Sequence, residues 1–77
     1  MIKHLDNNFK EKISKGKILV DFYADWCGPC QMLTPVLEEL SKKNENLKIV
    51  KINVDEHQQL AVQNKVLSIP AIKIYKD

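Results

Sequence analysis

Short apolar runs and amphipathic segments alternate along the chain. Ile18-Leu19-Val20-Asp21-Phe22-Tyr23-Ala24 is nearly continuous apolar and aromatic, the pattern of a central strand covered on both faces. Asp21 is the one acid that interrupts it. Farther on, Met32, Leu33, Val36, Leu37 and Leu40 recur at helical spacing, while Glu38 with Lys42 and Glu39 with Lys43 stand one turn apart in the favourable acid-first order. A long helix beginning at the cysteines is therefore predicted. Pro35 falls inside it, where a proline removes a backbone donor and bends the axis. Leu47-Lys48-Ile49-Val50-Lys51-Ile52-Asn53-Val54 predicts another strand, alternating in its second half, and Asp55 is placed to cap a helix around Leu60 to Asn64. Ile69-Pro70 breaks the chain before Ala71-Ile72-Lys73-Ile74-Tyr75, a final alternating strand.

The N-terminal stretch is less decided. Ile2 to Leu5 is weakly apolar and reads either as an edge strand or as a ragged terminus. Asp6 offers an N-cap, Phe9 and Ile13 fall four apart on one face, and Gly16 stops a short helix. Strand, helix, strand, helix, strand with short joints is the order of an α/β layered sheet.

Length and composition narrow the class. With 77 residues the chain is one domain, 1–77, at the small end of what a single core stabilises without metals, disulfides or partners. Its 44% hydrophobic and 29% charged residues fit a globular protein and argue against disorder, a fibre or a membrane span. The net charge of +2 comes from interspersed lysines, so no nucleic-acid patch follows from it. The start Met1-Ile2-Lys3-His4-Leu5-Asp6 has no apolar run of the signal-peptide kind, and later apolar runs are too short to span a bilayer. The expectation is a soluble, cytoplasmic chain with neither nucleic acid nor membrane as partner.

In such a reducing compartment the only two cysteines, Cys27 and Cys30, are suited to redox turnover or metal binding rather than to a permanent staple. They stand in Trp26-Cys27-Gly28-Pro29-Cys30. Residues three apart on a helix are neighbours at roughly 5 to 6 Å between Cβ atoms, a separation that suits a strained, reducible disulfide. Cys27 at the helix N-terminus meets unpaired amides and the positive end of the dipole, which stabilise an exposed thiolate near neutral pH and make it the nucleophile. Cys30, one turn in, is the shielded thiol that resolves a mixed disulfide. Pro29 suits a helix start because its missing donor is unpaired there anyway, and Gly28 leaves the approach open to another backbone. The rival chemistry is a metal site completed by His4 or His57. One Cys-x-x-Cys supplies two of the usual four zinc ligands, and neither histidine stands in a paired ligand spacing, so both read as solvated surface residues.

Phe22-Tyr23-Ala24-Asp25-Trp26-Cys27-Gly28-Pro29-Cys30, followed by Met32 and Pro35, then Lys51-Ile52-Asn53-Val54-Asp55, then Ser68-Ile69-Pro70, resembles the thioredoxin family in order and spacing from about Ile2 to Asp77. Gly-Pro between the cysteines is similar to the reducing members. The resemblance implies a central mixed sheet flanked by helices. It implies that Asp21 is a buried acid assisting proton transfer at the resolving thiol, with Lys51 facing it. The residues by themselves agree in part: an acid in an apolar strand has its pKa raised by desolvation, as a proton acceptor near neutral pH requires. A structural buried pair, or an acid reaching solvent at a strand edge, is the competing reading. Pro70 matches a cis-proline beside the dithiol, and Ile69 a residue whose backbone pairs with an extended substrate. Trp26, Gly28, Pro29 and Ile69 are implied to form an apolar substrate lip, although packing alone also accounts for Trp26. The implied partners are protein disulfides as substrates and a thioredoxin reductase as electron donor, with no cofactor and no metal.

The family continues past its fourth strand through a hairpin into a further strand and a closing helix, whereas Lys76-Asp77 matches only the opening of that turn. The expectation is a thioredoxin-like fold truncated after the fourth strand, with an unpaired edge and an uncovered apolar face. It would be a marginal monomer, or a dimer or swapped assembly covering the gap. Lys65 falls where the family often has glycine, with Asn64 the expected left-handed cap. The functional expectation is a protein-disulfide reductase. The alternatives are a thioredoxin-like interaction module, or a fragment of a longer oxidoreductase with little turnover by itself.

Overall fold

A computed structural model describes residues 1–76. The elements are β1 (Ile2–His4), α1 (Phe9–Lys12), β2 (Lys17–Tyr23), α2 (Gly28–Lys43), β3 (Leu47–Asn53), α3 (Gln58–Gln63) and β4 (Ala71–Lys76). The four strands lie in the order β1-β3-β2-β4. β3 runs parallel to both β1 and β2, whereas β4 is antiparallel to β2. The apolar run of β2 is thus the inner strand that its composition demanded, and Ile2–His4 is an edge strand rather than a loose terminus. Lys76 closes β4, while Asp77, the second residue of the expected turn, lies outside the described residues.

Strand alternation divides the core into two layers. Ile18, Val20 and Phe22 of β2 pack with Leu5, Val50 and Ile52, and are covered by Phe9, Ile13, Leu60, Val66 and Tyr75 from the α1 and α3 side. On the opposite face Leu19 and Ile49 meet Leu37 of α2, with Leu33, Leu40 and Leu47 around them. β4 extends this second face: Ile72 lies opposite Asp21 and Ile74 opposite Leu19. Ile72 is 42% exposed and Ile74 63% exposed, so α2 does not reach across to the β4 edge.

Several local expectations need correction. Asp6 does not cap α1: its carboxylate accepts from the amide of Asn7 at 2.6 Å, and Asn8, in the left-handed region, is the N-cap. Asp55 does not cap α3, which starts after His57, because its side chain is held elsewhere. After α3 the left-handed residue is Lys65 (φ 58°), while Asn64 has φ −93°. There the amide of Val66 donates to the Ala61 carbonyl and that of Lys65 to the Val62 carbonyl, a Schellman ending that requires positive φ one residue after Asn64. Asn64 instead turns its carboxamide back to the Leu60 carbonyl at 2.8 Å. On α2, Glu39 and Lys43 pair at 3.2 Å, and this is the one ion pair among the described residues, so Glu38 and Lys42 do not join. α2 runs through Pro35 without interruption.

Candidate functional site

The site stands where β2 hands over to α2. Ala24 is buried beside the cysteines, and the amide of Cys27 donates to its carbonyl at 3.2 Å, turning the chain into the helix. The Gln31 carboxamide donates to the Asp25 carbonyl at 2.8 Å and fastens the same turn from the helix side. Cys27 is the N-cap of α2 in an extended conformation, with Pro29 in the first turn. A proline is tolerated there because the first amides of a helix have no partner within it.

Cys27 and Cys30 are joined by a disulfide, with their Cα atoms 5.2 Å apart. The amide of Cys30 donates to the Cys27 sulfur at 3.2 Å, so the helix terminus presents an N–H to the atom on which negative charge appears when the bond is reduced. The expected contrast between an exposed and a shielded cysteine is not present in this oxidised form: Cys27 is 5% and Cys30 3% exposed. Tyr23, Val54 and Ile69 pack around them. Gly28 and Pro29 are exposed at the helix start, and a Cβ built on Gly28 meets nothing within 4 Å, leaving that approach open.

On β2, Asp21 is completely buried and neither carboxylate oxygen has a hydrogen-bond partner. Burial pushes its pKa above the ordinary carboxylate value, and the charge of Lys51 acts in the opposite direction. Lys51 is Asp21's register partner across β2 and β3. Its ammonium nevertheless donates to the Thr34 hydroxyl at 3.3 Å and lies 4.5 Å from the centroid of the Tyr23 ring, outside ion-pair distance of the acid. A cleft of about 240 Å³ lined by His4, Tyr23, Thr34, Lys51 and Cys30 opens on this side.

In front, a groove of about 390 Å³ is lined by Trp26, Val54, Ala61, Val66, Leu67 and Ile69. Trp26 is 71% exposed and Leu67 97% exposed, a concentration of apolar surface beside the cysteines. The Ile69–Pro70 peptide is cis. Two larger clefts, of about 520 and 470 Å³, are lined mainly by polar and charged residues around the end of α2 and the start of α3, and neither contains a cysteine.

Trp26, Cys27, Gly28, Pro29, Cys30 and Ile69 are thus brought to one end of the sheet; Lys51 shares a cleft with Cys30, and Asp21 is its register partner on β2. Sequence reasoning missed Asn53 and Asp55, which hold Trp26 through a contact 29 residues long in sequence, for which no local spacing is a signal. It also placed His57 on the surface. His57 is half-buried, with Nε2 3.2 Å from the Leu5 carbonyl, whereas His4 is exposed and meets the Tyr23 hydroxyl at 3.1 Å. Among the described residues no group of three or more His, Cys, Asp or Glu side chains is arranged to hold a metal ion. No helix among them is long and apolar enough to cross a membrane.

A reducible cysteine pair at the N-terminus of a helix, on a mixed sheet and beside an apolar groove, is the arrangement of a thiol-disulfide oxidoreductase. Comparison with known proteins makes the class specific. The family model described as Thioredoxin matches residues 1–77. Thioredoxin of Bacillus subtilis (strain 168) is 49% identical over 78 residues, covering 100% of this chain and 75% of the relative. Mitochondrial thioredoxin 3 from Saccharomyces cerevisiae in its oxidized form superposes with a TM-score of 0.87 at 35% identity, covering 99% of this chain and 74% of that one. Malassezia sympodialis thioredoxin superposes with a TM-score of 0.90 at 29% identity, covering 97% and 71%. The chain belongs to the thioredoxin family, and its activity is protein-disulfide reduction.

Proposed function

We propose that residues 1–77 act as one thioredoxin-like unit in which Cys27 attacks, Cys30 resolves and Asp21 takes the proton. In the reduced chain the Cys27 thiolate attacks one sulfur of a protein disulfide; a mixed disulfide forms and one substrate thiolate leaves. Cys30, deprotonated with Asp21 as acceptor, then attacks the Cys27 sulfur. The second substrate thiolate departs, and the Cys27–Cys30 disulfide is left. Two electrons and two protons from a reductase of the thioredoxin reductase class restore the dithiol. The observation that carries this reading is the amide of Cys30 aimed at the Cys27 sulfur at 3.2 Å, since it stabilises charge on Cys27 and on no other sulfur. Lys51 tunes Asp21 through its charge. Trp26, Gly28, Pro29 and Ile69 form the lip on which the substrate backbone lies, and Pro70 presents Ile69 to it. A reducing cytoplasm is the compartment in which this cycle runs forward.

The test uses trapping. With a protein disulfide as substrate, Cys30→Ser accumulates a covalent adduct through Cys27, seen by intact mass and released by reductant, and Cys27→Ser does not. Equal adduct in both variants would contradict the order of attack.

Assembly is proposed from the β4 edge. Among the described residues the strand has a neighbour on one side only, and it exposes Ile72 and Ile74. Such an edge is a template for pairing with a second copy. Light scattering over a concentration series is expected to show a rising mean mass; a constant monomer mass at every dilution would contradict it.

A further inference from the structure

Trp26 combines two properties that seldom go together. Its ring is 71% exposed, yet its indole N–H donates to Asp55 Oδ2 at 2.9 Å. An indole has a single donor and no acceptor, so this one bond to a charged partner fixes its polar edge while the ring face remains available. Asp55 is itself held. Asn53, buried at the end of β3, accepts through Oδ1 from the amides of Asp55 at 2.8 Å and Glu56 at 3.3 Å. Its backbone carbonyl accepts from Glu56 and His57 at 3.2 and 3.0 Å. Gln58 closes the turn from α3 by donating to the Asp55 carbonyl at 3.4 Å. A short polar side chain that takes over backbone donors in this way fixes the course of a turn. The β3–α3 turn is built around Asn53, and its product is an aspartate at the height of the indole.

We propose that Asn53 and Asp55 are positioning residues for substrate affinity: Asn53 shapes the turn, Asp55 anchors the indole of Trp26, and the anchored ring is the wall that an extended substrate segment meets beside the disulfide. The proposal rests on the oxidoreductase reading of the lip. Neither residue touches the reacting sulfurs in this arrangement, so loss of the anchor acts on binding and leaves the chemical step in place. The groove continues from Trp26 through Val54 to Ile69, and Val54 and Ile69 also pack against the cysteines. A ring swinging free at one end leaves that apolar floor without a wall.

The test measures steady-state reduction of a protein disulfide together with the anisotropy decay of the single tryptophan. Asp55→Ala is expected to raise KM roughly 3- to 10-fold, as loss of one hydrogen bond of ordinary net worth at an exposed site implies, with kcat within about two-fold and a faster local motion of Trp26. Asp55→Asn keeps an acceptor in place and restores both values toward those of the unsubstituted chain. In a Trp26→Phe background Asp55→Ala adds no further rise in KM, because the anchored group is gone. Asn53→Asp, which preserves the buried acceptor, serves where Asn53→Ala does not fold, and it keeps KM low. Unchanged KM and unchanged anisotropy in Asp55→Ala overturn the proposal, as does a fall in kcat alone or an additive effect in the Trp26→Phe background. Absence of turnover in the unsubstituted chain overturns the oxidoreductase reading and this proposal with it. Turnover there without a KM response to Asp55→Ala overturns the positioning role only.

Discussion

On the α1 and α3 side of the sheet Ile18, Val20, Phe22 and Ile52 are completely buried, whereas on the α2 side the apolar layer stops short and leaves Ile72, Ile74 and Val36 exposed. The two faces are made from the same strands, so strand composition does not cause the difference. It comes from coverage. α1, α3 and the segment after α3 enclose one side, while α2 alone lies on the other and is centred on Leu37 over Leu19 and Ile49. The half-covered face is also the one that holds Asp21, which lies opposite Ile72 of β4. Packing is therefore concentrated on one side, and on the other an unpaired carboxyl has been kept at a cost to stability that its proposed proton chemistry explains.

The largest expected effect is on the closed face. Phe22→Ala should lower unfolding free energy by about 3–5 kcal/mol, a large part of what a domain of this size possesses, read from a denaturant midpoint at unchanged slope. A loss no greater than that of an exposed substitution would mean that the two faces do not differ as described. Next is Asp21→Ala, which should stabilise the chain at pH 7 by about 1–3 kcal/mol, the penalty of a buried polar group without partners, while slowing turnover. The sign follows from burial. Because the folded-state pKa of Asp21 is raised above its ordinary 3.8, the folded chain holds this proton more tightly than the unfolded one. This group's contribution to stability is complete below the ordinary value and is lost as pH rises through the folded-state value. The gain from Asp21→Ala should consequently shrink in acid, and a gain independent of pH would contradict the account.

A smaller effect belongs to the turn that delivers Val66 to the closed face. Lys65 holds a positive φ that costs an L-residue about 1 kcal/mol, so Lys65→Gly should raise stability by at most about that amount in thermal unfolding. The smallest expected change in monomer stability, within about 0.5 kcal/mol, is for Ile74→Lys on the open face. The same substitution should abolish any concentration-dependent mass in light scattering.

Strand and helix positions were legible because each rests on a period that a few residues carry: β2 on its unbroken apolar run, α2 on Leu33, Leu37 and Leu40, β4 on alternation. The dithiol was legible because Cys27 and Cys30 are close in sequence and their chemistry follows from helix-terminus physics. What could not be read depends on competition between partners far apart in the chain. Asp55 has the composition of a helix cap, but a tryptophan 29 residues away takes its carboxylate. Asn64 is a residue that favours positive φ, but the bonds of Val66 and Lys65 to α3 place that conformation on the lysine. Lys51 stands opposite Asp21 in register, but its ammonium rests on Thr34 and the Tyr23 ring, contacts for which no local spacing is a signal. The burial of Cys27 likewise depends on Val54 and Ile69, which approach from other elements.

The most direct test of the central claim is reduction of insulin disulfides with a dithiol as electron source, measured for the unsubstituted chain, Cys27→Ser and Cys30→Ser. The account predicts turnover above the reductant's own background for the unsubstituted chain, and a return to that background in both variants. Unchanged turnover in both would show that the Cys27–Cys30 pair is not the reacting group.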